Sequence, residues 1–469
     1  MRRTLALLCT AAVGLTGVAL SAPATAAPGP QAESGSSRSP VDAVPDELVV
    51  GYVPGASADQ RSRARGRAAA RVAERVVAGA SGRRQVELVR LPQGKDRDRA
   101  IAELLSDPAV AYAEPNQVYR HQAKPGRGGS TVAPDGFSNG SLWGTYGDAS
   151  TPANAFGSQA AEAWAKGSTG SSSVYVGVID EGLQVDHPDL AGQVWVNPEE
   201  PVNGVDDDGN GYVDDVHGWD FASGDRTVYD GGTRGSSDDH GTHVAGTIGA
   251  VNEGATKVPV SGGRQVGVVG VSQDVTLISG KFLGINGGSL AAAVKAVDYF
   301  TDLKTKRGID VVATNNSWGG GGFSQALLDA ITRADAAGIL FIAAAGNSGT
   351  NNDATPSYPS SYAVPNVISV AAIDNTGGLA SFSQYGATTV DLGAPGVGIL
   401  STTAYSGYST YSGTSMATPH VTGAAALYAA SHPSASASQI KAAILGAVVA
   451  TPSLQGRTLT GGRLNASGF

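Results

Sequence analysis

Apolar and polar positions alternate with three different rhythms along this chain. A single apolar run extends from Leu5 to Leu20 behind Met1-Arg-Arg-Thr. From residue 47 onward, short apolar stretches are separated by polar helical patterns. Residues 47–53, 85–91 and 109–119 read as strands, residues 57 to about 78 as an Arg- and Ala-rich helix that Ser57 caps, and residues 98–105 as a short helix. Beyond about residue 139 the apolar runs are continuous, as in Val174-Tyr-Val-Gly-Val-Ile-Asp180 and Ile339-Leu-Phe-Ile-Ala. Unbroken runs of this kind are buried on both faces, which is the habit of parallel strands. Helices predicted over residues 289–303 and 324–337 lie between them.

The β-α-β-α-β order of the first part predicts a small ferredoxin-like α/β sandwich. The second part predicts an α/β domain with a doubly wound, mostly parallel sheet. At 469 residues, with 65 glycines and 16 % charged residues, the chain has room for two or three domains and the composition of a loop-rich globular protein. The early apolar run ends in Ala22-Pro-Ala-Thr-Ala26-Ala27, so residues 1–26 read as a signal peptide and the protein is expected to be secreted. No other stretch approaches the roughly 18 apolar residues of a membrane span, and no membrane anchor is expected. The only cysteine, Cys9, lies inside that signal, which leaves no disulfide in the mature chain.

Charge separates the two parts again. Residues 28–127 carry 16 Lys and Arg against 12 Asp and Glu, a balance of +4, whereas residues 128–469 carry 14 against 29, or −15. The arginines of the first part are interleaved with acids and lack stacking aromatics, which argues against nucleic acid as a partner.

Candidate chemistry sits in three places. Ser415, in Tyr411-Ser-Gly-Thr-Ser-Met-Ala-Thr-Pro-His420, follows Gly413 at the start of a helix-prone run. A helix N-terminus offers free N–H groups and a positive dipole end to a developing oxyanion. Asp180 ends a buried strand, where it is placed to orient a base, and His240 opens a small-residue helix in Asp238-Asp-His240-Gly-Thr-His243. A serine hydroxyl becomes a competent nucleophile once a neutral imidazole takes its proton, and a carboxylate holds that imidazole in the right tautomer. His243, three residues along the same helix, reads as a packing residue.

The chain order Asp, His, Ser, with the blocks around Asp180, His240 and Ser415, resembles the subtilases over most of residues 140–468. The resemblance implies a secreted serine endopeptidase acting through an acyl-enzyme, with Asp180, His240 and Ser415 as the catalytic triad and Asn347, in Ala344-Ala-Gly-Asn347, as an oxyanion donor. It departs from the family at Glu181, where a small hydroxyl residue is usual; an added carboxylate there is expected to raise the imidazolium's pKa. The resemblance also makes residues 27–123 a propeptide that inhibits the enzyme and assists its folding until it is cut off. The Gly/Ser/Pro-rich residues 124–138 are then a linker, and residues 139–469 the catalytic domain. Protein and peptide substrates, the propeptide as internal inhibitor and a monomeric enzyme are the implied partners and state.

Ser317, Trp318 and Gly319 match the segment lining the primary specificity pocket, with Ser357, Tyr358 and Pro359 as its far wall. Gly287 and Gly288 match an edge that pairs with an extended substrate. None of these segments is acidic, so a broad specificity with an apolar or aromatic preference is expected. Two other readings, a catalytically silent binding protein of the same fold and a serine esterase, are disfavoured by the complete triad and by the absence of a Gly-x-Ser-x-Gly elbow.

Asp206-Asp-Asp208-Gly-Asn210-Gly-Tyr212-Val-Asp214-Asp215 places oxygen donors at alternating positions, as the first half of an EF-hand loop does, but His217 stands where that motif needs its final Glu. Five aspartates within ten residues repel one another without a cation, so calcium is expected here. The expected ligands are Asp206, Asp208, Asn210, Tyr212, Asp214 and Asp215.

Overall fold

The computed structural model describes residues 42–79, 83–125, 137, 139–231, 238–251 and 267–469; the expected signal peptide and most of the linker lie outside them. The N-terminal part consists of β1 (Ala43–Tyr52), α1 (Ala58–Arg67), β2 (Arg71–Val77), β3 (Val86–Arg90), α2 (Arg97–Leu105) and β4 (Val110–His121). Its four strands run antiparallel in the order β4-β1-β3-β2.

One helix is shorter than its sequence suggests. The Arg- and Ala-rich run predicted to continue to about residue 78 stops at Arg67, and Arg71–Val77 is a strand. Ala69 adopts a left-handed φ of 55°, which ends the helix, and the β-branched Val72 and Val77 pair with β3. Val76 and Val77 are buried there, so packing outweighs the helix propensity of the alanines. The result is β-α-β-β-α-β, the full ferredoxin-like order.

The consecutive apolar residues of β1 have two destinations because side chains alternate across a strand. Leu48 and Val50 join Ala64, Ala68 and Leu104 in a core under α1 and α2. Val49 points the other way, into a cluster shared with helices of the second part. Both faces of this small sheet are therefore covered.

A two-residue strand, β5 (Lys124–Pro125), follows. The larger part then contains α3 (Ala160–Ala165), β6 (Gly170–Asp180), β7 (Gly218–Asp220), α4 (Asp239–Gly249), β8 (Asp274–Lys281), β9 (Gly288–Ser289) and α5 (Leu290–Arg307). It continues with β10 (Val311–Asn316), β11 (Trp318–Gly319), α6 (Gln325–Ala336), β12 (Leu340–Ala344), β13 (Val367–Ile373), β14 (Leu392–Pro395), β15 (Ile399–Thr403) and β16 (Gly407–Ser412). The last elements are α7 (Thr414–Ser431), α8 (Ala437–Gly446), β17 (Val449–Ala450) and β18 (Gly462–Arg463).

Its main sheet has nine strands in the order β17-β18-β14-β13-β12-β10-β6-β8-β7. Every pairing is parallel except that of β17 with β18. Residues of α4, α7 and α8 form the core on one face, and residues of α5 and α6 the core on the other. Strand β6 lies where the order reverses, and a crevice opens at the carboxyl ends of the strands at such a point. Asp180 is the last residue of that strand.

Candidate active site

Three elements carry the predicted triad, and two of its members are in direct contact. Asp180, fully buried, accepts His240 Nδ1 on its Oδ1 at 2.7 Å. His240 is the second residue of α4 and is also buried. Burial works against an imidazolium at this position, but the Asp180 carboxylate and the nearby Glu181 outweigh it and hold the His240 pKa above its usual value. Ser415 is the second residue of α7, and its hydroxyl donates to the Ser317 carbonyl at 2.8 Å. His240 Nε2, the nitrogen that faces away from Asp180, has no hydrogen-bond partner among the described residues.

Asn347 has a fixed orientation. Its Oδ1 accepts both the backbone N–H and the hydroxyl of Thr414, each at 3.0 Å, so its Nδ2 must face the opposite way. There it donates to the carbonyl oxygen of Gln122 at 2.5 Å, the same oxygen that accepts the Ser415 backbone N–H at 3.2 Å. A side chain at Gly413 would bring a Cβ to 2.3 Å from that oxygen, so the close approach requires glycine.

The chain around Gln122 is an extended strand between two edges. Tyr119 and Val118 pair with Gly288 and Ser289 on one side; His121 and Arg120 pair with Trp318 and Gly319 on the other. The Gln122 N–H donates to the Ser317 carbonyl at 3.1 Å, and Lys124 and Pro125 pair with Ser412 and Tyr411 beyond. Gly287, at φ 91°, leaves room for the strand, since a Cβ there would lie 2.4 Å from the Tyr119 carbonyl oxygen. Tyr119 is fully buried, edge-on to Trp318 at a centroid distance of 5.1 Å. The His121 ring stacks on His240 at 4.6 Å, and repulsion by that imidazolium, reinforced by desolvation, lowers its pKa to about 4.

The sequence of this combined architecture matches known proteins over most of its length. A profile of the subtilase family matches residues 171–464, and a profile of the fervidolysin N-terminal prodomain matches residues 30–116. The chain belongs to the subtilase family. It is 37 % identical over 272 residues to subtilisin DY of Bacillus licheniformis, covering 58 % of this chain and 81 % of that one. It is 35 % identical over 289 residues to thermitase of Thermoactinomyces vulgaris (61 % and 84 % covered) and 34 % identical over 346 residues to subtilisin E of Bacillus subtilis strain 168 (73 % and 71 % covered). This subtilase is a serine protease of the subtilisin type with an N-terminal prodomain.

The prodomain of this subtilase is also tied to the catalytic domain at the N-termini of α5 and α6. Glu114 accepts the Ser324 hydroxyl and the N–H groups of Gln325 and Ala326 at 2.7, 3.0 and 3.1 Å, and so satisfies the open N-terminus of α6. Asn116 does the same for α5 through the Ala291 N–H at 3.1 Å. The segment Ala113-Glu-Pro-Asn-Gln117 resembles a subtilase propeptide in sequence, but the helix-closing roles of Glu114 and Asn116 could not be read there, because a partner more than 170 positions away leaves no local signal. The predicted packing role of His243 matches its surroundings: it is buried, stacked on Tyr411 at 4.6 Å, and bonded through Nε2 to the Ile399 carbonyl at 2.9 Å.

The acidic loop of this subtilase is arranged differently from the expected ligand set. Asp208 and Asp215 converge with Glu200, and one carboxylate oxygen from each lies within 4.8 Å of the others. Asn210 joins them, with Nδ2 at 3.1 Å from Asp208 and 2.9 Å from Asp215. Asp206 and Asp214 are spent on the loop itself. Asp206 accepts the N–H groups of Asn210 and Gly211, and Asp214 accepts those of Asn203 and Gly204 and pairs with Arg226 at 3.1 Å. The Tyr212 ring packs against Trp219, Phe221 and Tyr299.

Glu200 was missed because it precedes the repeating acidic pattern; the pair Glu199-Glu200 was its only trace. Burial pushes the Asp215 pKa up to about 6, the behaviour of a carboxylate short of positive charge. Arg307 Nη2 reaches Asp208 Oδ1 at 2.6 Å, but Glu200 and Asp215 have no ion-pair partner among the described residues. Three converging carboxylates suit a hard, oxygen-seeking cation, and this acidic cluster could hold a metal.

Proposed function

We propose that this protein is a secreted serine endopeptidase, made as a zymogen that cuts its own chain between Gln122 and Ala123. Ser415 Oγ attacks the Gln122 carbonyl carbon and passes its proton to His240 Nε2, while Asp180 holds the ring through Nδ1. The oxygen that becomes negative is held by Asn347 Nδ2 and the Ser415 N–H. His240 then protonates the Ala123 nitrogen, which leaves, and Gln122 remains as an ester on Ser415 until water, deprotonated by His240, releases it. Residues 27–122 are then the propeptide, one residue shorter than the sequence alone suggests.

One observation supports this reading above the rest: the Gln122 carbonyl accepts hydrogen bonds from both Asn347 and Ser415. Two donors on a single carbonyl, with a strand on either side, is how a peptide bond awaiting attack is held. The same strand informs specificity. Gln122 precedes the cut, whereas the buried aromatic is Tyr119, so the apolar and aromatic preference falls four residues before the cleaved bond. The segment Ser317, Trp318 and Gly319 binds the substrate backbone on one side, and Gly287 and Gly288 on the other.

Calcium is the proposed ion of the acidic loop, held by the carboxylates of Glu200, Asp208 and Asp215. It would neutralise the carboxylates and brace the loop against α5, without a part in the chemistry. The signal peptide reading accounts for export, and a monomer suffices, since all the groups named belong to one chain.

Intact mass of the purified precursor, incubated with calcium, tests the proposal beside Ser415→Ala. The wild type is expected to yield a product beginning at Ala123 and Ser415→Ala to remain uncut. Equal processing of both, or of neither, would overturn it.

A further inference from the structure

Glu181 touches both partners of the histidine–aspartate pair. Its Oε1 accepts the His240 backbone N–H at 2.5 Å, and its own N–H donates to Asp180 Oδ1 at 2.8 Å. That Oδ1 is the atom bonded to His240 Nδ1. The Glu181 side chain is buried, with 8 % of its surface exposed.

The contact has two physical consequences. The His240 N–H belongs to the first turn of α4, where amides lack a helical partner, so the carboxylate anchors the backbone that carries the ring. The carboxylate is also a second negative charge beside an imidazole that must gain and lose a proton.

The other charges facing it are few. Asp180 lies on the same strand. Asp238 precedes His240 on α4, but Lys281 of β8 holds its carboxylate and also pairs with Asp230 at 2.8 Å. Tyr411 of β16 faces Glu181 as a neutral phenol, its pKa raised well above the usual value by burial. His121 of the prodomain stacks on the far side of His240 and leaves with the propeptide.

We propose that Glu181 is a positioning residue for His240 that also sets its charge state, so that Glu181 and His240 gain a proton as a coupled pair and place the acid limb of the enzyme's pH profile. This rests on the reading of Asp180, His240 and Ser415 as the triad. Burial pushes the Glu181 pKa up to about 7, into the range where an imidazole titrates, and His240 is the strongest influence opposing that shift. Two groups that interact in this way share their protonation steps. While Glu181 is ionised it favours the imidazolium, so removing its charge must lower the pH at which His240 becomes neutral.

The test compares kcat/KM against pH for the processed wild type, Glu181→Gln and Glu181→Asp on a chromogenic peptide, each read relative to its own plateau, with Ser415→Ala as control. Glu181→Gln keeps an acceptor for the His240 N–H but loses the charge, and its acid limb is expected to move down by on the order of one pH unit. Glu181→Asp keeps the charge, and its limb is expected to stay near that of the wild type. Superimposed limbs for wild type and Glu181→Gln overturn the proposal. Activity in Ser415→Ala would instead overturn the triad reading. A second readout, independent of turnover and processing, is the His240 ring-carbon NMR shift against pH in the uncut Ser415→Ala precursor. There, adding Glu181→Gln is expected to lower the His240 midpoint, and an unmoved midpoint counts against the proposal.

Discussion

The carbonyl oxygen of Gln122 accepts the backbone N–H of Ser415 at 3.2 Å, so the chain lies across the candidate active site as an extended strand. Backbone pairing on both sides of that bond, rather than a deep side-chain lock, positions it. The predictions below separate the groups that act on the bond from those that hold the strand.

Asn347→Ala removes one of the two donors to the Gln122 carbonyl. The loss is expected in kcat, on the order of 10²–10³, with KM little changed, because the donor acts chiefly on the charged intermediate. Steady-state kinetics on a peptide substrate, with the half-life of self-processing as a second reading, checks this. Thr414→Ala, which removes the hydroxyl but leaves the residue 414 backbone N–H on Asn347 Oδ1, is expected to cost less.

Tyr119 anchors the strand. Replacing this fully buried ring by alanine is expected to destabilise the uncut Ser415→Ala precursor by about 3–5 kcal/mol, measured by urea unfolding, and to slow processing in the active enzyme. Gly321→Val attacks the same contact from the other side, since a Cβ at Gly321 would lie 2.3 Å from Tyr119 Cε1. The double variant is expected to suffer less than the sum of the two, and strict additivity would argue that they do not share a pocket.

Glu114 holds three donors at the start of α6. After cleavage, Glu114→Ala is expected to release the prodomain at least about tenfold faster, equivalent to about 1.4 kcal/mol, because a charged cap is lost and its donors are left unpaired. The measurement is the lag before full activity appears. Glu114→Gln, which retains an acceptor, is expected to shorten the lag less.

The acidic loop predicts a pH signature. In metal-free protein the Asp215 pKa stands at about 6, above its ordinary 3.8. A carboxyl raised on folding contributes stability below the unfolded pKa and loses it as pH rises through the folded one. Metal-free protein is therefore expected to lose stability through Asp215 between about pH 4 and pH 6, and calcium to restore it above that window. Thermal unfolding with calcium or with a chelator checks this; calcium at a hundred times its Kd would add about 2.7 kcal/mol. Asp215→Asn is expected to remove most of the calcium response, and a response equal to wild type would count against the site.

The legible parts of the site were those whose chemistry is written in consecutive residues. Asp180 at the end of an apolar run, His240 at a helix start and Ser415 behind Gly413 each carry a local pattern, and the family blocks extend it. The error at residues 68–78 has the opposite origin. Alanine and arginine favour a helix in isolation, but Val76 and Val77 are buried by an antiparallel partner and by the catalytic domain beneath, neither of which is local.

By itself, the sequence determined the two-part α/β architecture and singled out Asp180, His240, Ser415 and Asn347 as candidates, because strand and helix periodicities and short motifs are properties of neighbouring residues. Only the tertiary structure decided that Gln122 presents its carbonyl to Asn347 and Ser415, that Glu114 closes a helix more than 200 positions away, that Glu200 converges with Asp208 and Asp215, and that Glu181 accepts the His240 backbone N–H. Each of these depends on side chains or carbonyls brought together by long-range packing, and a one-dimensional pattern holds no record of which distant groups that packing will align.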